Sequence, residues 1–86
     1  MQSNQTVPKW FVEAVEPRPD YTLNLTFATG ERKVFDARPL LAETCFKRLR
    51  NLEFFMQARL QGRSVVWDEE TDIAPEYLYE ESRSVR

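Results

Sequence analysis

YTLNLTFATGERKVFDARPLL, residues 21–41, is the most strongly patterned stretch of the chain, and its reading decides the fold class. Tyr21, Leu23, Leu25 and Phe27 alternate with Thr22, Asn24, Thr26 and Ala28. That two-residue period belongs to a strand with one apolar and one polar face. ATGE at 28–31 supplies a hairpin turn in which Gly30 is able to take a positive φ. A two-residue loop at Thr29–Gly30 sets Leu25 opposite Val34 on one face. Phe35 then points to the other face, where a helix or a partner has to cover it. The following DARPLLAETCFKRLR reads as helix, with Pro39 in its first turn. Leu41, Cys45 and Leu49 recur at i, i+4 and i+8 with Phe46 beside them, so the single cysteine is expected in a buried stripe.

Working outward, KWFVEAVEP predicts a strand near Lys9–Glu16 that PRPD ends, because prolines do not fit a central strand. Asn51 is placed to cap a short helix through LEFFMQ. ARLQGRSVVWD predicts a second hairpin with Gln61–Gly62 at its turn. APEYLYEES predicts a last helix that starts at Pro75 and turns Leu78 and Tyr79 inward. The order is β-β-β-α-α-β-β-α: an α+β domain, a small antiparallel sheet with short helices packed on it. Residues 9–82 form the domain, flanked by a flexible N-terminal tail, 1–8, and a C-terminal tail, 83–86.

A chain of 86 residues builds one modest core, which its aromatic residues (six Phe, three Tyr, two Trp) help to fill. The net charge is −2, so no global basic field draws in nucleic acid or an anionic membrane. The distribution is uneven. Residues 31–63 hold eight Arg/Lys against four acids, whereas 64–82 hold seven acids and no base. One cysteine excludes an intramolecular disulfide and fits a reducing, cytoplasmic setting. The first residues lack the basic-then-apolar pattern of a signal peptide, and no apolar run is long enough to span a bilayer.

The chain has no histidine, which removes Ser-His-Asp and Cys-His nucleophilic arrangements and ordinary zinc sites. DEETD at 68–72 lacks the alternate acids and central glycine of an EF-hand loop. With two glycines in the whole chain there is no phosphate-cradling loop. No catalytic residue, metal or cofactor is expected. Two binding readings remain. Phe35, Tyr77 and Tyr79 are surplus aromatic residues suited to a protein partner, another small protein or a second copy. Arg38, Lys47, Arg48 and Arg50 form a basic segment, 38–50, suited to phosphate contact. The acidic segment 68–81 is either a binding face or a solubilising one.

PRPDYTLNLTFATGERKVFDARPLL and CFKRLRNLEFFMQARLQGRSVVWDEETDIAPEYLY together resemble the domain of unknown function 2442 family. The landmarks are a Pro-rich turn, Y-x-L-x-L-x-F, a Gly turn and V-F-D-x-x-P-L-L. A Phe-rich helix, a strand ending in Trp and x-P-x-x-L-Y follow. DEET replaces the family's Gly-containing turn after Trp67. The resemblance implies a small α+β fold, usually bacterial, in some members part of a toxin–antitoxin-like protein pair, and it carries over no catalytic residue. A non-enzymatic protein-interaction module of such a cytoplasmic pair is the favoured expectation. The alternative is an antitoxin-like regulator that contacts nucleic acid through residues 38–50.

Overall fold

The patterned stretch forms the centre of a four-stranded antiparallel sheet. The computed structural model describes residues 7–85; most of the expected N-terminal tail, residues 1–6, lies outside them. The elements are β1 (Val12–Arg18), β2 (Thr22–Phe27), β3 (Arg32–Asp36), 3₁₀ helices at Arg38–Ala42 and Thr44–Arg50, α1 (Leu52–Phe55), β4 (Arg59–Gln61), β5 (Ser64–Asp68), β6 (Thr71–Ile73), α2 (Pro75–Glu81) and β7 (Arg83–Ser84). The α+β class holds, but the strands form two small antiparallel sheets rather than one: β1-β2-β3-β7 and β4-β5-β6.

The hairpin register differs from the expected one by a single residue. Leu25 pairs with Lys33 and Leu23 with Phe35, because the loop has three residues and not two. The Gly30 N–H donates to the Phe27 carbonyl and the Phe27 N–H to the Glu31 carbonyl, each at 2.8 Å, and Gly30 sits at φ +93°. This is a three-residue turn closed by a left-handed glycine. A one-residue slip inverts a strand. Val34 therefore faces outward opposite Asn24, and Phe35 faces the core at 2% exposure. The expectation that Phe35 points to the face opposite that of Leu25 is corrected accordingly.

β1 begins three residues later than expected and continues through Pro17 and Arg18. Ladder bonds of β2 alternate sides; Ala37 N–H to Tyr21 carbonyl and Phe27 N–H to Glu31 carbonyl put its odd residues toward β3. Its even residues thus serve β1, whose Glu16 and Arg18 pair with Asn24 and Thr22. Pro17 falls between them and turns its missing N–H away from the ladder, which an edge strand tolerates.

The expected long helix is absent. Glu43 is extended (φ −85°, ψ 136°), and Phe46 is kinked inside the second 3₁₀ segment. A 3₁₀ helix repeats every three residues. Leu40, Phe46 and Leu49 keep that spacing and turn inward, whereas Cys45, placed by a four-residue spacing, is exposed and not buried. The Asn51 cap forms as expected, its Oδ1 accepting from the Phe54 N–H at 3.1 Å. Gly62 (φ +66°) starts a two-residue turn between Gln61 and Ser64. DEET closes a further hairpin, with Asp68 Oδ1 accepting from the Glu70 N–H at 3.0 Å, and its return is β6. Arg83 and Ser84, expected in the C-terminal tail, pair with Val34 and Lys33 as β7.

One core joins these parts. Leu23, Leu25, Phe27 and Phe35 from the first sheet meet Val65, Trp67 and Ile73 from the second, with Leu49, Phe55 and Leu78 between them. No helix among the described residues is long and apolar enough to cross a membrane.

Candidate functional site

α2 fixes the tyrosines. Extended Ala74 enters the helix, Pro75 occupies its first turn, and Leu78 is fully buried. The helical period then turns Tyr77 outward and leaves Tyr79 half-buried. Tyr77 is 44% exposed, yet its ring rests edge-on against Phe35 at 6.0 Å. It stands over a shallow cleft of about 340 Å³ whose apolar lining is Leu40, Phe46, Ile73 and Ala74, with Glu43 and Asp72 as its charged lining. Two separate stretches of chain build this cleft: the two 3₁₀ helices, and the end of β6 with the start of α2. The sequence reading named Tyr77 but missed Leu40 and Ile73, which carry no local signal of being neighbours.

Tyr79 does a different job. Its hydroxyl donates to Glu31 Oε1 at 2.9 Å, its carbonyl accepts from Lys33 Nζ at 2.6 Å, and that ammonium lies 3.9 Å from its ring centroid. The ring also meets Phe27 edge-on at 5.0 Å. The bond to Glu31, with burial second, raises the phenol's pKa above its usual value. Tyr79 thus pins α2 to the first hairpin. Of the three aromatic candidates, Phe35 is core, Tyr79 is a clamp, and Tyr77 is presented to solvent.

The basic candidates are mostly engaged within the chain. Arg38 makes a two-pronged pair with Asp36, at 2.9 and 2.8 Å, and this bonding holds the Asp36 carboxyl below its usual pKa. Arg48 pairs with Asp68 at 2.5 Å and lies 4.6 Å from the Phe54 ring centroid. Arg50 Nε donates to the Leu41 carbonyl at 2.6 Å, and the Arg50 carbonyl accepts from the Tyr21 hydroxyl at 2.5 Å. Lys47 is exposed and makes no ion pair among the described residues. Three of the four, Arg38, Arg48 and Arg50, thus also brace the 3₁₀ segments against their surroundings.

Among the described residues, no group of three or more carboxylate or thiol side chains is arranged to hold a metal ion. The family model described as "Protein of unknown function (DUF2442)" matches residues 12–84, most of the chain, and the chain belongs to that family. No curated protein and no solved structure matches it.

Proposed function

We propose that this member of the DUF2442 family is a non-enzymatic protein-binding module, one partner of a small bacterial cytoplasmic protein pair, and that it docks through the cleft beside Tyr77. The observation that carries this reading is the state of that one ring, exposed at 44% and braced from behind by buried Phe35. An exposed aromatic side chain that is already held in place loses little entropy on contact, which is the character of interface anchors. The cleft next to it takes one large apolar side chain. Glu43 and Asp72 line that cleft, and Glu76 precedes Tyr77, so the favoured partner segment carries Lys or Arg beside its apolar anchor.

Selection of a random peptide display library on the immobilised chain tests this reading. The expected result is enrichment of peptides with Leu or an aromatic residue within a few positions of Lys or Arg, with at least tenfold weaker binding to Tyr77→Ser. No enrichment, or enrichment indifferent to Tyr77→Ser, would overturn it. A parallel titration with short DNA and RNA duplexes addresses the regulator alternative. Binding that falls steeply with salt and is lost in Lys47→Glu would support that alternative. Lys47 is the suitable position, since replacing Arg48 or Arg50 removes internal bonds as well as charge.

A further inference from the structure

The helices and the second sheet pack on one face of β1-β2-β3-β7. The opposite face has no cover among the described residues, and the molecule is 18 Å thick along its shortest axis, which is two layers. The register arranges this open face in three cross-strand rows. Glu16, Asn24, Val34 and Arg83 form the middle row. Ala14, Thr26 and Arg32 form the second, extended by Val85, whose N–H donates to the Arg32 carbonyl at 3.0 Å. Arg18, Thr22 and Asp36 form the third. The surface is shallowly concave over Asn24, Thr26, Val34 and Val85.

We propose that this open face is a self-association surface, which pairs face to face with a second copy of the chain so that β1 of one copy lies over β7 of the other. The charge pattern selects both the occupant and the axis. A two-fold axis parallel to the strands keeps each row in place and reverses the strand order. Glu16 then meets Arg83 of the other copy, twice. Ala14 meets Val85, Asn24 meets Val34, Thr26 meets Arg32 and Thr22 meets Asp36. No like charges oppose each other. The two-fold axis perpendicular to the strands instead sets Glu16 against Glu16 and Arg83 against Arg83. An isologous contact must be self-complementary, and only the first axis makes this face so.

The charges are available for it. Asp36 is occupied by Arg38, which leaves Arg83 without a short ion pair among the described residues, and the Arg18–Glu16 contact is long at 4.0 Å and exposed. Four strands about 4.8 Å apart and three rows about 6.8 Å apart make a face of roughly 400 Å². Pairing buries on the order of 800 Å² in total, below the range of standard specific complexes and within that of weak, transient ones, so the dimer is weak and salt-sensitive. This surface is separate from the Tyr77 cleft, and Tyr77→Ser leaves the association unchanged.

Sedimentation of the whole chain, from micromolar to near-millimolar concentration at low salt, is the test. The wild type is expected to show a concentration-dependent monomer–dimer equilibrium. Glu16→Arg and Arg83→Glu each weaken it at least tenfold, and the double exchange E16R/R83E restores it to within a few-fold. Both positions are exposed, and circular dichroism checks that each variant is folded. A monomer at every concentration overturns the proposal. So does a dimer indifferent to the single exchanges, or single-exchange losses that the double exchange does not recover.

Discussion

Lys33 carries a charge into the hairpin's inner face at 8% exposure, where its stem packs and its ammonium finds the Tyr79 carbonyl and ring. Lys33→Met keeps the stem but leaves that carbonyl only its longer bond from the Ser82 hydroxyl at 3.3 Å, at an expected cost of about 1–3 kcal/mol in urea unfolding. Tyr79→Phe keeps the ring and loses only the bond to Glu31, and should cost about 1 kcal/mol. Equal losses would show that the carbonyl contact contributes nothing beyond an ordinary hydrogen bond. Asp36 governs a pH effect. Its folded pKa is depressed by Arg38, so its contribution to stability is present above the unfolded value and lost as pH falls through the folded one. Unfolding midpoints measured from neutral pH downward should therefore fall less steeply for Asp36→Asn than for the wild type in the acid range. At this scale the sequence shows which residues are unusual and not what they touch. Tyr79 stood out as surplus, and its partners Glu31 and Lys33 lie more than 40 positions away.

The hairpin and its neighbours show what local pattern can and cannot determine. The alternation from Tyr21 to Phe27 specifies β2, since only one face of such a strand can be buried. It does not count the loop: Gly30 serves a two-residue or a three-residue turn equally well, and that choice decides whether Val34 or Phe35 is core. The pattern does not distinguish the 3₁₀ segments from an α-helix, because Leu41, Cys45 and Leu49 fit a four-residue repeat as well as Leu40, Phe46 and Leu49 fit a three-residue one. β6 and β7 have three and two residues, too few for a period to appear. The turn glycine gives an element-level prediction. A Cβ at Gly30 would meet no atom within 4 Å, so Gly30→Ala tests backbone conformation alone. At φ +93° it should destabilise by about 1 kcal/mol, measured by urea unfolding. A neutral result would mean that the loop relaxes to another turn. Asn51→Ala removes the α1 cap and should cost about 1 kcal/mol. It should also loosen the contact at α1's far end, where Trp67 Nε1 donates to the Phe55 carbonyl at 2.8 Å.

Among the described residues the two sheets share no ladder bond, and a chain of aromatic contacts links them within the common core. Tyr21 at the first sheet meets Phe55 at 5.0 Å, and Phe55 meets Trp67 of the second sheet at 5.9 Å. The Tyr77 cleft is likewise a property of the assembled molecule. Its tyrosine is legible from the helix start at Pro75, but its floor joins residues 40, 46 and 73, whose adjacency exists only after both sheets have docked. If Phe55 is the keystone, neither sheet is stable without it: a three-stranded sheet of short strands needs a packed apolar face to persist. Phe55→Ala should cost about 3–5 kcal/mol, since the ring is fully buried. A chain of this size has on the order of 4–13 kcal/mol in total, of which such a loss is a large share. The variant should therefore lose both sheets together and not just the contact between them. Thermal unfolding followed by Trp67 fluorescence in a Trp10→Phe background reports the second sheet, and far-UV circular dichroism reports the whole. The two midpoints should coincide in the wild type and fall together by more than about 10 °C in Phe55→Ala. A fluorescence transition that moves while a separate dichroism transition stays in place would mean that the four-stranded sheet folds alone, and that the Tyr77 cleft opens and closes with the second sheet.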